Sequence, residues 1–368
     1  MKKVAILGST GSIGVQALNI IENYPDQFEV VALAAGGQNV ELFKSQCKKF
    51  LSVKNAANCA TSAVNGFEAV IDLADTKNTG ADIVLNAIAG NIGLEPSLRV
   101  LEDDAILALA NKESMVVGGS LIGQQFKSAD KMLQKIRPVD SEHSAIWQCL
   151  DGRSDVAKLI LTASGGPFRG RKLADLVDVT PEMALNHPTW NMGPLVTINS
   201  STLMNKGLEL IEAAYLFDVD PDDIQVTVHP QSIVHSMVQF MDGSTIAQQS
   251  IPSMELPIAL SLSYPQRLVD VEEPLDWSKS HTLQFEPLDN TTFPAVQLAR
   301  HALKSGPLYP ALMNKINEQQ VYKFLAGEIA YTQIIPTVEE SLTQFNPNIW
   351  ATNPTNPTLE EIKHLLAA

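Results

Sequence analysis

The sequence predicts an α/β chain in three segments: a doubly wound parallel sheet, a mixed α+β segment and a helical bundle. Three observations predict it. Short apolar runs alternate with helix-spaced apolar residues over roughly the first 140 positions. Small and polar residues cluster from about 139 to 263, and beyond 290 the apolar spacing is helical almost to the end.

The elements follow in order. Residues 4–7 form an apolar strand, a glycine-rich turn follows, and residues 15–21 repeat apolar side chains at helical spacing. Residues 30–34 read as a second strand, and 83–85, 105–109 and 158–162 as later ones, with helical patterns at 97–101 and 119–126. Tyr264-Pro265, Glu273-Pro274 and Glu286-Pro287 punctuate a stretch that reads as linker. Helices are expected over 294–303, 311–325, 338–345 and 359–366. The boundaries this implies are 1–139, 140–263, a linker at 264–290, and 291–368.

Composition narrows the function. The chain has 368 residues, with 26 basic and 41 acidic side chains and a net charge of −15. A 45% hydrophobic fraction excludes wholesale disorder, and the acidic balance argues against a nucleic-acid surface. No window approaches a membrane span, and the first hydrophobic stretch is too short and too quickly broken by Gly8 for a signal peptide, so a cytoplasmic location is expected. Cys47, Cys59 and Cys149 form no CxxC pair and read as reduced structural fillers.

Residues 8–14, Gly-Ser-Thr-Gly-Ser-Ile-Gly, stand between a strand and a helix. Glycines there let a pyrophosphate approach the backbone and the helix N-terminus, the signature of a Rossmann-like dinucleotide turn. The second strand ends Gly36-Gly37-Gln38-Asn39, without the acid that would bind a ribose 2′-hydroxyl. A carboxylate would repel a 2′-phosphate, whereas Gln38 and Asn39 can donate to it, so NADP is favoured.

Asp140 and Glu142 are two apart, and on an extended segment both project to one side. Such a pair attracts a hard cation, Mg²⁺ or Mn²⁺, although a solvated Asp-Ser-Glu turn explains it equally well. His143 reads as a packing or supporting histidine. A helix beginning near Ser200-Ser201-Thr202, capped by a hydroxyl, would place Ser200, Asn205 and Lys206 as phosphate donors and Glu209 one turn on. An exposed Lys206–Glu209 pair is the plain alternative. Ser164-Gly165-Gly166 after a strand is either an anion nest or a simple turn. The loop containing His187, Trp190, Met192 and Gly193 is either a closing lid or a rigid tryptophan loop. Asn111, Lys112 and Glu113 follow the strand at 105–109, where open sheets bind ligands.

Seven segments in order are similar to 1-deoxy-D-xylulose 5-phosphate reductoisomerases of the non-mevalonate isoprenoid pathway. They are GSTGSIG at 8–14, ANKES at 110–114, PVDSEH at 138–143, ASGGPF at 163–168, HPTWNMG at 187–193, MNKGLELIEA at 204–213 and HPQSIVHSMV at 229–238. The resemblance implies an NADPH- and divalent-metal-dependent conversion of 1-deoxy-D-xylulose 5-phosphate to 2-C-methyl-D-erythritol 4-phosphate, by rearrangement and then hydride reduction. It implies a Rossmann-like NADPH domain, a central catalytic domain, a C-terminal helical domain and a homodimer. Gly8, Thr10, Gly11, Ser12, Ile13, Gly37, Gln38, Asn39, Asn111, Glu113 and Gly193 would line the cofactor site. Asp140, Glu142 and Glu209 would bind the metal. Lys112, Ser141, Glu142, Ser164, His187, Trp190, Met192, Ser200, Asn205, Lys206, Glu209 and His229 would surround the sugar phosphate, with Lys112, Glu142, His187 and Glu209 carrying catalysis. The Gly36–Asn39 segment departs from the family, being one residue longer and lacking a basic residue at Gln38. The residues by themselves also admit a metal-independent NADP reductase, or a non-catalytic NADP-binding sensor.

Overall fold

A computed structural model describes residues 1–50, 52–53, 55–58, 66–190 and 192–368. Cys59 and Asn191 lie outside the described residues. The chain divides into two compact units. The first comprises Met1–Ser114, Lys127–Ser144 and Ser253–Glu273, and the second Met115–Phe126, Ala145–Pro252 and Pro274–Ala368.

The first unit is a six-stranded, all-parallel sheet in the order β3-β2-β1-β4-β5-β6. Its strands are β1 (Lys2–Leu7), β2 (Phe28–Ala35), β3 (Asn55–Asn58), β4 (Ile83–Asn86), β5 (Ile106–Leu109) and β6 (Ile136–Pro138). Parallel strands covered on both faces need continuous apolar runs. Val4, Ile6, Val30, Leu33, Ile83, Leu85 and Ala108 supply them in one core cluster. The order reverses between β1 and β4, so the carboxyl ends of those strands open on the crevice where doubly wound sheets take their ligands.

Residues 253–273, which the linker and domain boundaries above separate from the sheet, join this unit instead. The helix Glu255–Ser263 is the cause: Ile258, Ala259 and Leu262 are buried in the sheet's own core cluster. Burial of that apolar face decides where the segment sits, whatever its distance along the chain.

The second unit is built on a five-stranded mixed sheet, β10-β9-β7-β8-β11. Its strands are β7 (Val156–Ala163), β8 (Ile224–Val228), β9 (Val234–Phe240), β10 (Thr245–Gln249) and β11 (Glu286–Pro287). β7 and β8 are parallel, and the other pairs are antiparallel. The helices expected in the tail form at Ala295–Ser305, Leu308–Leu325, Ile334–Thr343 and Leu359–Ala367. Among the described residues no helix is long and apolar enough to cross a membrane.

Candidate active site

The glycine turn links β1 directly to the helix Ser12–Asn23, whose N-cap is Gly11. The first N–H groups of any helix lack intrahelical partners, so this end favours an anion. The third glycine is required by close approach. A Cβ on Gly14 would lie 2.3 Å from the Gly8 carbonyl oxygen and 2.6 Å from Ser9 Cα, both backbone. Ser9 is fully buried; its hydroxyl donates to Gln46 Oε1 at 2.8 Å, and Gln46 Nε2 donates back to the Ser9 carbonyl at 2.8 Å. Sequence reasoning passed over Gln46, because a polar residue in a helix carries no local sign of such a partner. At the end of β2, Gln38 and Asn39 are exposed, and Asn39 Oδ1 caps the helix Val40–Lys49 by accepting from Leu42 N–H at 3.0 Å.

Asn111 lies between β5 and the helix Lys112–Gly123. It is 1% exposed, and its amide donates to the carbonyls of Ile88 at 2.7 Å and Gly90 at 2.8 Å. It therefore braces the loop after β4. Glu113 accepts from the same amide at 3.0 Å, and burial raises its carboxyl above the ordinary value.

The segment after β6 corrects the sequence reading. Asp140 and Glu142 do not lie on an extended run: the helix Ser141–Leu150 starts at once, and Asp140 caps it, accepting from Glu142 N–H at 3.2 Å. A carboxylate at that position completes the first turn's free N–H groups, which draws the chain out of the extended state. Lys112 Nζ lies 2.8 Å from Asp140 Oδ2, and the fully buried His143 ring lies 3.2 Å from Oδ1. Burial works to raise the Asp140 carboxyl, but the Lys112 ammonium and His143 outweigh it and hold it well below the usual range. Ser141 Oγ donates to Glu142 Oε2 at 2.6 Å.

In the second unit, Ser164-Gly165-Gly166 follows β7, with Gly165 at φ +88° and Gly166 at φ +65°. A Cβ on Gly166 would meet the Ser200 carbonyl oxygen at 2.8 Å, so this turn packs on the end of the helix Pro194–Ser201. Ser200 is not an N-cap, contrary to the expectation above. It sits in the last turn of the helix Pro194–Ser201, and the helix Met204–Phe217 begins after Leu203, at φ +60°. Pro194 opens the first helix earlier than the polar triplet suggests, and Thr202 Oγ1 accepts from Met204 N–H at 3.3 Å in place of a regular cap. Ser200 and the Asn205–Lys206 pair thus come from two abutting helices.

The face shared by Asn205, Lys206 and Glu209 does form: Asn205 Nδ2 and Lys206 Nζ both donate to the Glu209 carboxylate. It is no exposed pair, for Lys206 is 5% and Glu209 1% exposed. Removing a charge pair from water costs several kcal/mol per ion unless partners are excellent, so such placement is rarely incidental. Glu212, one turn on, is also buried. Two residues of the helical tail prop this region and went unnoticed in the sequence. Tyr331 donates to the Ser201 carbonyl at 2.7 Å, and Asn317 Nδ2 to Asn199 Oδ1 at 2.8 Å.

The loop after residue 185 is tied down through His187. Its Nε2 is 3.1 Å from Ser164 Oγ, and its Nδ1 accepts from the N–H groups of Thr189 at 3.1 Å and Trp190 at 2.9 Å. Trp190 stands edge-on to His235, centroids 6.2 Å apart. Thr197 Oγ1 donates to the Met192 carbonyl at 3.3 Å and the Gly193 carbonyl at 2.9 Å, and Gly193 caps the helix Pro194–Ser201. His229, expected near the substrate, is fully buried with both ring nitrogens engaged by backbone. Nε2 accepts from Ile233 N–H at 3.2 Å, which leaves Nδ1 to donate to the Gln284 carbonyl at 2.8 Å. Phe285 stacks on the ring at 4.7 Å. Burial raises the Cys47 thiol and pushes Cys149 up to about 11, as befits packing cysteines.

Comparison with known proteins decides the family. Residues 4–119 match the family description 1-deoxy-D-xylulose 5-phosphate reductoisomerase, 136–217 its C-terminal domain, and 249–367 a second DXP reductoisomerase C-terminal domain. The enzyme of that name from Bifidobacterium longum subsp. infantis is 51% identical over 381 aligned positions, covering 98% of this chain and 94% of the relative. The chain belongs to the 1-deoxy-D-xylulose 5-phosphate reductoisomerase family. The Corynebacterium glutamicum reductoisomerase is 50% identical, covering 93% of this chain and 89% of its own. Among solved structures, the Zymomonas mobilis reductoisomerase in complex with NADPH is 38% identical with a TM-score of 0.86, covering 100% of this chain and 96% of that one. A DOX-P reductoisomerase in complex with NADPH, fosmidomycin and magnesium is 33% identical with a TM-score of 0.89, with the same coverage.

Proposed function

We propose that this chain is an NADPH- and divalent-cation-dependent reductoisomerase that converts 1-deoxy-D-xylulose 5-phosphate to 2-C-methyl-D-erythritol 4-phosphate by intramolecular rearrangement followed by hydride reduction. Its working form is a cytoplasmic homodimer with an NADPH-binding segment at 1–139, a catalytic segment at 140–263, whose last helix Glu255–Ser263 packs in the core of the first sheet, and a helical segment at 291–368. The observation that carries the reading is Glu209, a carboxylate 1% exposed that accepts from both Asn205 and Lys206.

The residues fit both groups. The glycine turn suits a dinucleotide pyrophosphate: Gly14 lets the helix Ser12–Asn23 pack directly on the turn, which leaves its first N–H groups facing an anion. Asp140, Glu142 and Glu209 are oxygen-only donors, suited to Mg²⁺ or Mn²⁺ rather than zinc. When bound, the cation supplies Lewis-acid polarisation of a ketone and its neighbouring hydroxyl, and NADPH supplies hydride. Gly8, Thr10, Gly11, Ser12 and Ile13 seat the pyrophosphate and ribose; Gly37, Gln38 and Asn39 meet the 2′-phosphate. Lys112 keeps Asp140 ionised and, with Ser141, contacts the sugar. Ser164, Ser200, Asn205 and Lys206 hold the phosphate, whose remote binding energy orders the loop carrying Trp190 and Met192.

Purified protein with NADPH and deoxyxylulose phosphate is expected to oxidise NADPH when Mn²⁺ is present and to stop on EDTA addition. Glu209→Gln is expected to abolish turnover while NADPH still binds, as followed by its fluorescence. Activity that survives EDTA would leave a metal-independent reductase, and binding without oxidation a sensor.

A further inference from the structure

Tyr331, in the helical tail, touches two segments that meet at the Ser164–Gly166 turn. Its ring stands edge-on to Phe168, with centroids 5.2 Å apart, and to Phe324, at 5.6 Å, and all three rings are buried. Its hydroxyl donates to the Ser201 carbonyl at 2.7 Å. Phe168 follows Gly166 by two residues, with Pro167 between them. Proline fixes one backbone angle, so the Phe168 ring is a stiff extension of the turn. Ser201 ends the helix Pro194–Ser201, one residue after Ser200. The last carbonyls of a helix have no partner within it, and a buried one left unbonded is costly. Tyr331 supplies that partner.

Ser200 is thereby held from both sides. Before it, Asn199 Oδ1 accepts from Asn317 Nδ2 at 2.8 Å, and both of those side chains are buried. After it comes the carbonyl that Tyr331 binds. Ser200 itself, between two buried and anchored neighbours, is only half-buried. Turn and helix end are already in direct contact, since a Cβ on Gly166 would lie 2.8 Å from the Ser200 carbonyl oxygen. A shift of either one displaces the other. Packing alone does not account for a tyrosine here, because a buried phenol hydroxyl is unfavourable unless it is bonded. Burial raises its pKa, which keeps the hydroxyl protonated, as a donor, at neutral pH.

We infer that Tyr331 is a positioning residue for the phosphate subsite: its ring and hydroxyl set the Ser164–Gly166 turn and the helix end carrying Ser200 in one arrangement, so that both serines meet the same phosphate. This rests on the reading that Ser164 and Ser200 hold the substrate's phosphate. Tyr331 acts through those two segments, and it is neither an acid nor a base in the reaction.

Tyr331→Phe keeps the ring contacts and removes only the hydroxyl. The KM for deoxyxylulose phosphate is expected to rise about 3–10-fold, the scale of one hydrogen bond, with kcat within about twofold of wild type. Inorganic phosphate, titrated as an inhibitor competing with that substrate, should lose affinity by the same factor. The NADPH Kd, read by fluorescence, should not move, since the glycine turn belongs to the other compact unit. In a Ser200→Ala background the change should cost less than about twofold in KM, because its effect passes through that serine. Phe168→Leu, which loosens the ring contact and leaves the hydroxyl in place, should also raise KM.

A KM and a phosphate inhibition constant within twofold of wild type, in Tyr331→Phe or in Phe168→Leu, would overturn the proposal. So would a loss equally large without Ser200, or one shared by the NADPH Kd, the pattern of a general loss of stability. Wild-type protein tests the reading beneath it. If inorganic phosphate does not compete with deoxyxylulose phosphate there, the phosphate subsite itself is misassigned, a failure separate from that of Tyr331.

Discussion

Gly14→Ala is the substitution whose cost can be worked most directly from the turn. The new methyl would lie 2.3 Å from the Gly8 carbonyl oxygen, 2.6 Å from Ser9 Cα and 2.8 Å from Ser9 C, against about 3.4 Å for an ordinary contact. Relief requires roughly 1.1 Å of separation (3.4 − 2.3) between the glycine turn and the start of the helix Ser12–Asn23. None of the three atoms can swing aside as a side-chain tip would. The turn is pinned in turn: Gly8 and Ser9 N–H both donate to the Ala34 carbonyl, at 2.9 and 2.8 Å. Overpacking of this kind costs about 1–3 kcal/mol, or roughly 5–150-fold in an equilibrium constant. If the turn seats the pyrophosphate, much of that cost falls on cofactor affinity, since the helix N–H groups move from their places. The assay is NADPH titration followed by fluorescence, with Gly36→Ala as control, because nothing lies within 4 Å of a Cβ there. A Kd for Gly14→Ala within twofold of wild type would refute the reasoning.

Two further outcomes are expected. Gln46→Leu leaves the buried hydroxyl and carbonyl of Ser9 without their partner, at about 1–3 kcal/mol for each unsatisfied group, so the urea midpoint should fall and the NADPH Kd rise about tenfold. Unchanged NADPH affinity would show that this brace does not reach the cofactor turn. Burial depresses the proton affinity of His235 in the folded state, so the unfolded chain binds the proton more readily. The resulting stability is present above the unfolded pKa, about 6.5, and is lost as pH falls below it towards the folded value. Urea denaturation at pH 7.5 and 5.5 should therefore show a smaller loss for His235→Gln than for wild type; the slope is reduced and not removed, because burial shifts His187 the same way.

What was legible in the sequence was what neighbours along the chain decide. The apolar runs of β1 and β2, the glycine turn between β1 and its helix, and the common face of Asn205, Lys206 and Glu209 each depend on spacing within about one or two turns. What was not legible depends on partners far away in sequence. Gln46 reaches back 37 positions to Ser9, and Tyr331 reaches 130 positions to Ser201. The short strands β3, β6 and β11 have too few residues to show a period and are ordered by the strands beside them. The misplaced N-cap has the opposite cause. Ser200-Ser201-Thr202 is a good local cap signal, overridden because Pro194 had already started a helix that runs through it.

The site residues also explain how a chain of net charge −15 can serve anionic ligands. Its two lysines there are not free positive charges: Lys112 is paired with Asp140, and Lys206 with Glu209. Each pair is close to neutral at a distance, so neither sets up a long-range attractive field for a phosphate. The attraction has to be short-ranged. Backbone N–H groups at the start of the helix Ser12–Asn23 carry partial charges that pairing with a carboxylate does not cancel, because they belong to the peptide bonds themselves. Side-chain donors oriented by their own hydrogen bonds, as Ser164 is by His187 and Gly166, extend the same strategy. Recognition of this kind depends weakly on salt, since the dipoles act within a few ångströms and partly out of water, whereas a lysine-lined surface would lose affinity steeply as counterions screen it.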